Sequence, residues 1–161
     1  MKTAIVYYSM GGNTAFAAEK LAEGMEADLI RIRPVKAYPD KGIRKFLWGG
    51  KSAVMAETPE LEPYSFREGE YDRVILGFPV WAGTMAPPMR TFVTENRERL
   101  RGKRIDAFAC QSGSGAEKAF AKLKDCLGGQ ELTATMVLID PKDRPAPGKD
   151  AEIDTFCQKL Q

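Results

Sequence analysis

Apolar positions along this chain fall into short β-rich runs alternating with helical spacings. Thr3–Tyr8 is such a run, closed by the turn Ser9-Met10-Gly11-Gly12, and predicts a first strand. Across Asn13–Met25, Ala17, Leu21 and Met25 recur four apart on one helical face. Asn13 or Thr14 can cap the start of that helix, and Gly24 sits near its end. Asp28–Val35 predicts a second strand; Arg31, Arg33 and the stop at Pro34 suit a sheet edge. The connection Lys36–Phe66 holds Pro39, Gly42, Gly49, Gly50, Pro59 and Pro63, so only short helices around Ile43–Trp48 and near Ser52–Glu57 are expected in it. Arg73–Phe78 is dominated by apolar residues and predicts a central strand buried on both faces. Pro87–Leu100 follows as a helix with Pro in its first turn. Arg104–Cys110 predicts a fourth strand, Ala116–Leu127 a helix ended by Gly128-Gly129, Thr133–Asp140 a fifth strand and Asp150–Leu160 a last helix.

Strands separated by helices predict an α/β fold: a three-layer, doubly wound sandwich with a five-stranded parallel sheet. At 161 residues the expectation is one domain over 1–161. In such sheets ligands sit outside the carboxyl ends of the strands, at the topological switch point. The loops after strands 1, 3 and 4 are therefore the candidates.

Composition narrows the chemistry. The 24 Lys+Arg against 22 Asp+Glu leave a net charge of +2, which argues against a nucleic-acid binder with a strong basic face. With no His, catalysis by Ser-His-Asp or Cys-His, His-containing zinc sites and His-ligated haem all drop out. The three Cys (Cys110, Cys126, Cys157) form no C-x-x-C pair, so no metal site is expected, and their odd, scattered count fits a reducing compartment. Ala4–Tyr8 is too short for a signal-peptide core or a membrane helix, so a cytoplasmic location is expected. Cys110 reads as a buried strand-end cysteine with no charged sequence neighbour, and Cys126 and Cys157 as core or half-buried. The basic run Arg97, Arg99, Arg101, Lys103, Arg104 falls at a helix C-terminus, where cations offset the dipole, and reads as a solvated face away from the candidate loops.

The first loop, Ser9-Met10-Gly11-Gly12-Asn13-Thr14, joins a strand to a helix N-terminus, where orphan N–H groups and the helix dipole suit an anion. Its two glycines let the backbone approach a phosphate, with Gly12 as the point of contact; a tight turn with a good cap accounts for the same residues. No G-x-G-x-x-G follows a strand, and Gly49-Gly50-Lys51-Ser52 lacks the first glycine of a P-loop, Lys45 standing there. In the second loop, Pro79-Val80-Trp81-Ala82-Gly83-Thr84, Trp81 offers a flat face for a planar ring, or packs on a neighbouring helix. The third loop, Cys110 followed by Gln111-Ser112-Gly113-Ser114-Gly115, is small and polar, with Ser114 placed to cap the next helix. The cluster Phe46, Leu47, Trp48 either covers the sheet or borders the site.

A phosphate cradle after strand 1 and a ring platform after strand 3 meet at one crevice in a sheet of order 2-1-3-4-5. On Tyr8–Thr14, Tyr71–Trp81 and the 110–115 loop, the chain resembles the flavodoxin family over essentially its whole length. The resemblance implies a flavodoxin-like fold with bound FMN, its phosphate on residues 9–14 and its isoalloxazine between residues 79–84 and 110–115. It implies an electron-transfer protein whose flavin cycles between quinone, semiquinone and hydroquinone, with redox partner proteins and no nucleic acid or membrane. A monomer or weak homodimer is expected. The sequence departs from the family in three ways: Gly11 stands where Thr is frequent, the third loop has no aromatic residue to cover the ring, and the chain is not acidic. The last two leave room for an NAD(P)H-dependent FMN or quinone reductase. Against that reading, no second Gly-rich loop and no basic residue in the ring loops is present to hold a nicotinamide nucleotide. A flavin-free α/β interaction module is the third reading, and the 9–14 loop and Trp81 speak against it.

Overall fold

The computed structural model describes residues 1–39 and 50–161. The elements are β1 (Thr3–Tyr7), α1 (Asn13–Met25), β2 (Asp28–Arg31), β3 (Arg73–Trp81), β4 (Thr84–Met85), α2 (Pro87–Leu100), β5 (Arg104–Gln111), α3 (Ala116–Cys126), β6 (Leu132–Ile139) and α4 (Pro147–Leu160). Residues 50–54 are also helical, close to the helix expected near Ser52–Glu57. The helix expected over Ile43–Trp48 and the Phe46, Leu47, Trp48 cluster lie outside the described residues.

The main sheet has the order β2-β1-β3-β5-β6 with every neighbouring pair parallel. This is the expected α/β topology, with β5 and β6 as the predicted fourth and fifth strands. Alternation along the inner strands sends side chains to two cores. Ile5, Tyr7, Ile75 and Phe108 meet Leu21 of α1 and Ile153 and Phe156 of α4. Val6, Val74, Leu76 and Ile105 meet Met89 and Phe92 of α2 and Leu123 of α3. Gly77 is required by this packing: a Cβ there would stand 2.1 Å from Cζ of Phe108, whose ring crosses β3 at that point.

Three boundaries differ from the sequence expectation by more than one residue. The central strand runs on to Trp81 and turns back into a sixth strand, β4, so the predicted second loop is a hairpin. Its two turn residues, Ala82 (φ 51°) and Gly83 (φ 72°), both have positive φ, the geometry of a turn that matches strand twist. Asn-Gly announces such a turn; Ala-Gly does not. The second strand ends at Arg31, not Val35, because Pro34 has no N–H to extend a ladder. The chain there pairs antiparallel with a later segment instead: Val35 N–H donates to Glu60 O (2.9 Å) and Glu62 N–H to Arg33 O (2.8 Å). The last helix begins at Pro147, not Asp150, with Pro in the first turn, where its missing N–H costs nothing.

The basic run lies at the strand-start end of the sheet, opposite the candidate loops. Lys103 Nζ donates to the carbonyls of Glu68 (2.6 Å) and Tyr71 (2.7 Å), and Arg97 Nε to Cys126 O (2.9 Å). These cations satisfy carbonyl groups of neighbouring turns. At the same end, the side chains of Arg73 and Asp106 form an ion pair (3.2 Å) that is 4% and 0% exposed.

Candidate functional site

Because β1, β3, β5 and β6 are parallel, their carboxyl ends gather the following loops on one edge of the sheet. There they enclose a cleft of ≈ 530 Å³. Thirteen of the predicted site residues line it: Ser9, Met10, Gly11, Asn13 and Thr14; Pro79, Val80, Trp81 and Ala82; Gln111, Ser112, Gly113 and Ser114. Gly12, Gly83, Thr84 and Gly115 do not line it; they shape its walls.

The first wall is the β1–α1 loop. Its helix starts from Gly12, in the left-handed region at φ 96°, with no side-chain cap. The first-turn N–H groups of α1 thus have no intrahelical acceptor and no capping oxygen. Ser9 is 7% exposed and its Oγ has no hydrogen-bond partner among the described residues. A Cβ at Gly11 would meet nothing within 4 Å, so the cradle is open at that residue. Asn13 is not the cap expected for it. Its Oδ1 accepts from the N–H groups of Lys142 (2.9 Å) and Asp143 (3.1 Å), and its Nδ2 donates to Asp143 Oδ2 (3.0 Å). At Gly12 a Cβ would stand 2.9 Å from Lys142 Nζ, so a side chain would displace Lys142.

The second wall is the hairpin. Trp81 is half-buried and meets Tyr8 (centroids 5.8 Å, 87°) and Tyr38 (5.2 Å, 78°) edge to face. Both contacts are of the favourable T-shaped kind and fix the indole as a wall of the cleft. Burial pushes the Tyr8 hydroxyl well above the ordinary tyrosine value and that of Tyr38 in the same direction, so this aromatic group is neutral at pH 7. Thr84 is buried in β4 and accepts from Arg90 Nη2 (3.2 Å) on α2.

The third wall is the β5–α3 loop. Gly115, not Ser114, is the N-cap of α3, at φ 107°. The Ala116 N–H donates to Gln111 Oε1 (3.0 Å). A Cβ on Gly115 would lie 3.0 Å from Gly83 Cα and 3.3 Å from Val80 Cγ1, so this glycine lets the second and third walls touch. Ser112, Gly113 and Ser114 are exposed. Cys110 lines the floor; burial pushes its thiol up to about 12, which keeps it protonated.

Asp140, Asp143 and Gly50 also line the cleft and escaped the sequence reading. Gly50, read as part of a loop, is helical. Asp140 and Asp143 belong to the turn after β6, whose Asp140-Pro141-Lys142-Asp143-Arg144 run was a legible polar signal at a strand's carboxyl end. Asp140 Oδ1 accepts from Ser112 Oγ (3.0 Å), and its Oδ2 accepts from Arg144 Nε (3.0 Å) and Nη2 (2.6 Å). Arg144 Nη2 also donates to Ser112 O (3.0 Å). The turn therefore straps the first and third walls together.

The family model described as flavodoxin matches residues 2–144. The chain belongs to the flavodoxin family. FMN is the cofactor of that family. Among solved structures, the fold is similar to a flavoprotein from Lactobacillus acidophilus NCFM in complex with FMN: 19% identity, 96% of this chain and 97% of that one, TM-score 0.76. It is also similar to oxidised flavodoxin 1 from Bacillus cereus: 16% identity, 99% and 97% coverage, TM-score 0.61. The rubredoxin oxygen:oxidoreductase of Desulfovibrio gigas matches at 17% identity and TM-score 0.58, over 98% of this chain and 34% of that one. Among the described residues, no helix of this flavodoxin-family chain is long and apolar enough to cross a membrane.

Proposed function

We propose that this chain binds one FMN in the cleft and carries electrons between redox partner proteins. One observation carries the reading: a buried, unpartnered Ser9 Oγ and the uncapped first turn of α1 face the same cleft as the Trp81 indole. The residues present fit the group. A phosphate monoester needs several donors and close backbone approach, and Ser9, the α1 N–H groups and the open space at Gly11 supply both. A planar ring needs a flat apolar wall with polar groups at its edge, and Trp81 with Val80 stands opposite Gln111–Ser114. Bound FMN would supply the redox chemistry. Ser9 and the α1 N-terminus would hold the phosphate, Trp81 would orient the ring and, with Val80 and Met10, exclude water from it. Backbone groups of residues 111–114 would meet the ring edge.

Titration of the apoprotein with FMN tests the first half: saturation at one FMN per chain, with quenching of tryptophan fluorescence, is expected. No binding would refute it. Anaerobic reductive titration of the loaded protein tests the second half, with two resolved one-electron transitions expected. A second reading, an NAD(P)H-dependent FMN or quinone reductase, draws on the exposed, non-aromatic third wall, which leaves that side of the cleft uncovered. Rapid stoichiometric bleaching by NADPH in one two-electron step would establish it in place of the carrier.

A further inference from the structure

The lining of the cleft includes two carboxylates, Asp140 and Asp143, and no Lys or Arg among the described residues. Ser9 and the α1 N-terminus offer a dianionic ligand neutral donors only, and a cation close behind the wall would add charge attraction to them. Among the described residues, three cations bond to backbone carbonyls of the first and third walls. Arg31 donates through Nη2 to Ser9 O (3.2 Å) and lies over the Tyr7 ring, beneath the loop. Arg144 is spent on Asp140 through two bonds and on Ser112 O through a third. Lys142 differs from both. Its Nζ lies 3.2 Å from Gly11 O and 3.5 Å from Asp143 Oδ1, and its side chain is 51% exposed. An ammonium has three N–H donors, so these two neighbours leave one over.

The position of Lys142 is built in. Its backbone N–H and that of Asp143 both donate to Asn13 Oδ1, and Asn13 Nδ2 returns a bond to Asp143 Oδ2. Asn13 is the first residue of α1, so the helix whose N-terminus faces the cleft also sets the position of the lysine. The absent side chain at Gly12 leaves the space that Nζ occupies.

We propose that Lys142 supplies the counter-charge for the phosphate of the bound flavin and selects the 5′-phosphorylated form over the uncharged nucleoside, riboflavin. The proposal rests on the FMN reading above. Hydrogen bonds and ion pairs to a charged group are strong but screened at half-exposed sites, so a moderate effect is expected. Apoprotein is titrated with FMN and, separately, with riboflavin, for the wild type, Lys142→Met and Lys142→Arg. Lys142→Met is expected to raise the FMN Kd about tenfold, about 1.4 kcal/mol, and to leave the riboflavin Kd within about twofold. Lys142→Arg, which keeps the charge, is expected to recover most of the FMN affinity. Added salt should weaken FMN binding more in the wild type than in Lys142→Met.

An unchanged FMN Kd in Lys142→Met overturns the proposal and leaves the FMN reading standing. Equal weakening of both flavins overturns it too, since it would show Lys142 only shaping the loop. A wild type that binds neither flavin removes the FMN reading and the proposal together.

Discussion

Gly115 is the residue on which the width of the cleft turns. Its φ of 107° lies outside the narrow left-handed region open to other residues, and a Cβ would stand 3.0 Å from Gly83 Cα and 3.3 Å from Val80 Cγ1. Gly115→Ala meets two costs. The backbone conformation costs alanine about 1–2 kcal/mol, and the overlap adds about 1–2 kcal/mol, since overpacking typically costs 1–3. The nearest contact is backbone, so no side-chain rotation relieves it, and the β5–α3 loop has to move off the hairpin. The expected loss of stability is about 2–4 kcal/mol, read as a lower urea midpoint of the apoprotein at unchanged m-value. FMN affinity should fall in the same variant, because the two walls separate. Gly148→Ala in the first turn of α4 is the matched control: a Cβ there meets nothing within 4 Å and its φ is not positive. It should be neutral or stabilise by about 0.5 kcal/mol. A Gly115→Ala protein with wild-type midpoint and wild-type FMN affinity would refute this close approach of the two walls.

Gly77→Ala should destabilise by about 3 kcal/mol or more, because Cζ of Phe108 lies 2.1 Å from the new methyl and that ring is fully buried. Adding Phe108→Ala should make the double variant less unstable than the sum of the two singles; strict additivity in denaturant melts would contradict the contact. Trp81→Ala should weaken FMN by about 1 kcal/mol and change the flavin absorption spectrum, whereas unaltered affinity and spectrum would leave Trp81 as packing only. The Cys110 thiol, pushed up to about 12 by burial, should resist iodoacetamide at pH 8 in the native protein and react on unfolding. Its proton stays on in the folded state while the unfolded thiol ionises near 8.5, so stability should fall as pH rises from about 8.5 toward 12, a slope that Cys110→Ala makes shallower. Asp106→Asn should cost about 3–5 kcal/mol by leaving Arg73 buried without its counter-charge, while the pair Arg73→Met with Asp106→Leu should be near neutral; equal losses in thermal melts of both would refute this.

The topology was legible because each strand announces itself locally. Val74–Phe78 is apolar on both faces, Pro87 opens a helix, and Gly128-Gly129 closes one. The three candidate loops were legible for a topological reason: parallel strands with crossover helices place all their carboxyl ends on one edge. What sequence could not show was side-chain partnership across long separations. Asn13 has the composition of an N-cap, and nothing local reveals that its amide is used 129 and 130 residues away. Gly12 read as a phosphate-contact glycine and Gly115 as part of the ring loop, and neither reading reveals their left-handed backbone (φ 96° and 107°) or, at Gly115, the approach of Gly83 Cα to within 3.0 Å of a Cβ. The hairpin at Ala82-Gly83 was hidden by an alanine in a conformation that Asn or Gly usually takes. Burial of Arg73 and Asp106 was equally hidden, since charged residues at strand starts normally reach solvent.

Positive φ occurs at both ends of this sheet, at Glu26, Gly102, Gly128 and Gly129 as well as in the loops of the cleft. The positive-φ residues Gly12, Ala82, Gly83, Gly115 and Asp140 all belong to the loops that form the cleft. Ala82 and Asp140 are not glycines, so each costs of order 1 kcal/mol or more in conformational energy. At the other end, Lys103, Arg97 and the Arg73–Asp106 pair satisfy or bury polar groups. The packed interior between the two ends makes the strained arrangement affordable, because Phe108, Ile75 and Leu76 hold the strands whose carboxyl ends project the loops. The cleft is braced by the chain's own bonds: Asn13, Asp140 and Arg144 tie the turn after β6 to the first and third loops. Preorganisation of that kind lowers the ordering cost of binding. It also concentrates the distinctive chemistry of this flavodoxin-family chain in the turn after β6, where residues 140–144 bring two carboxylates and two cations to a loop that by itself has only neutral donors.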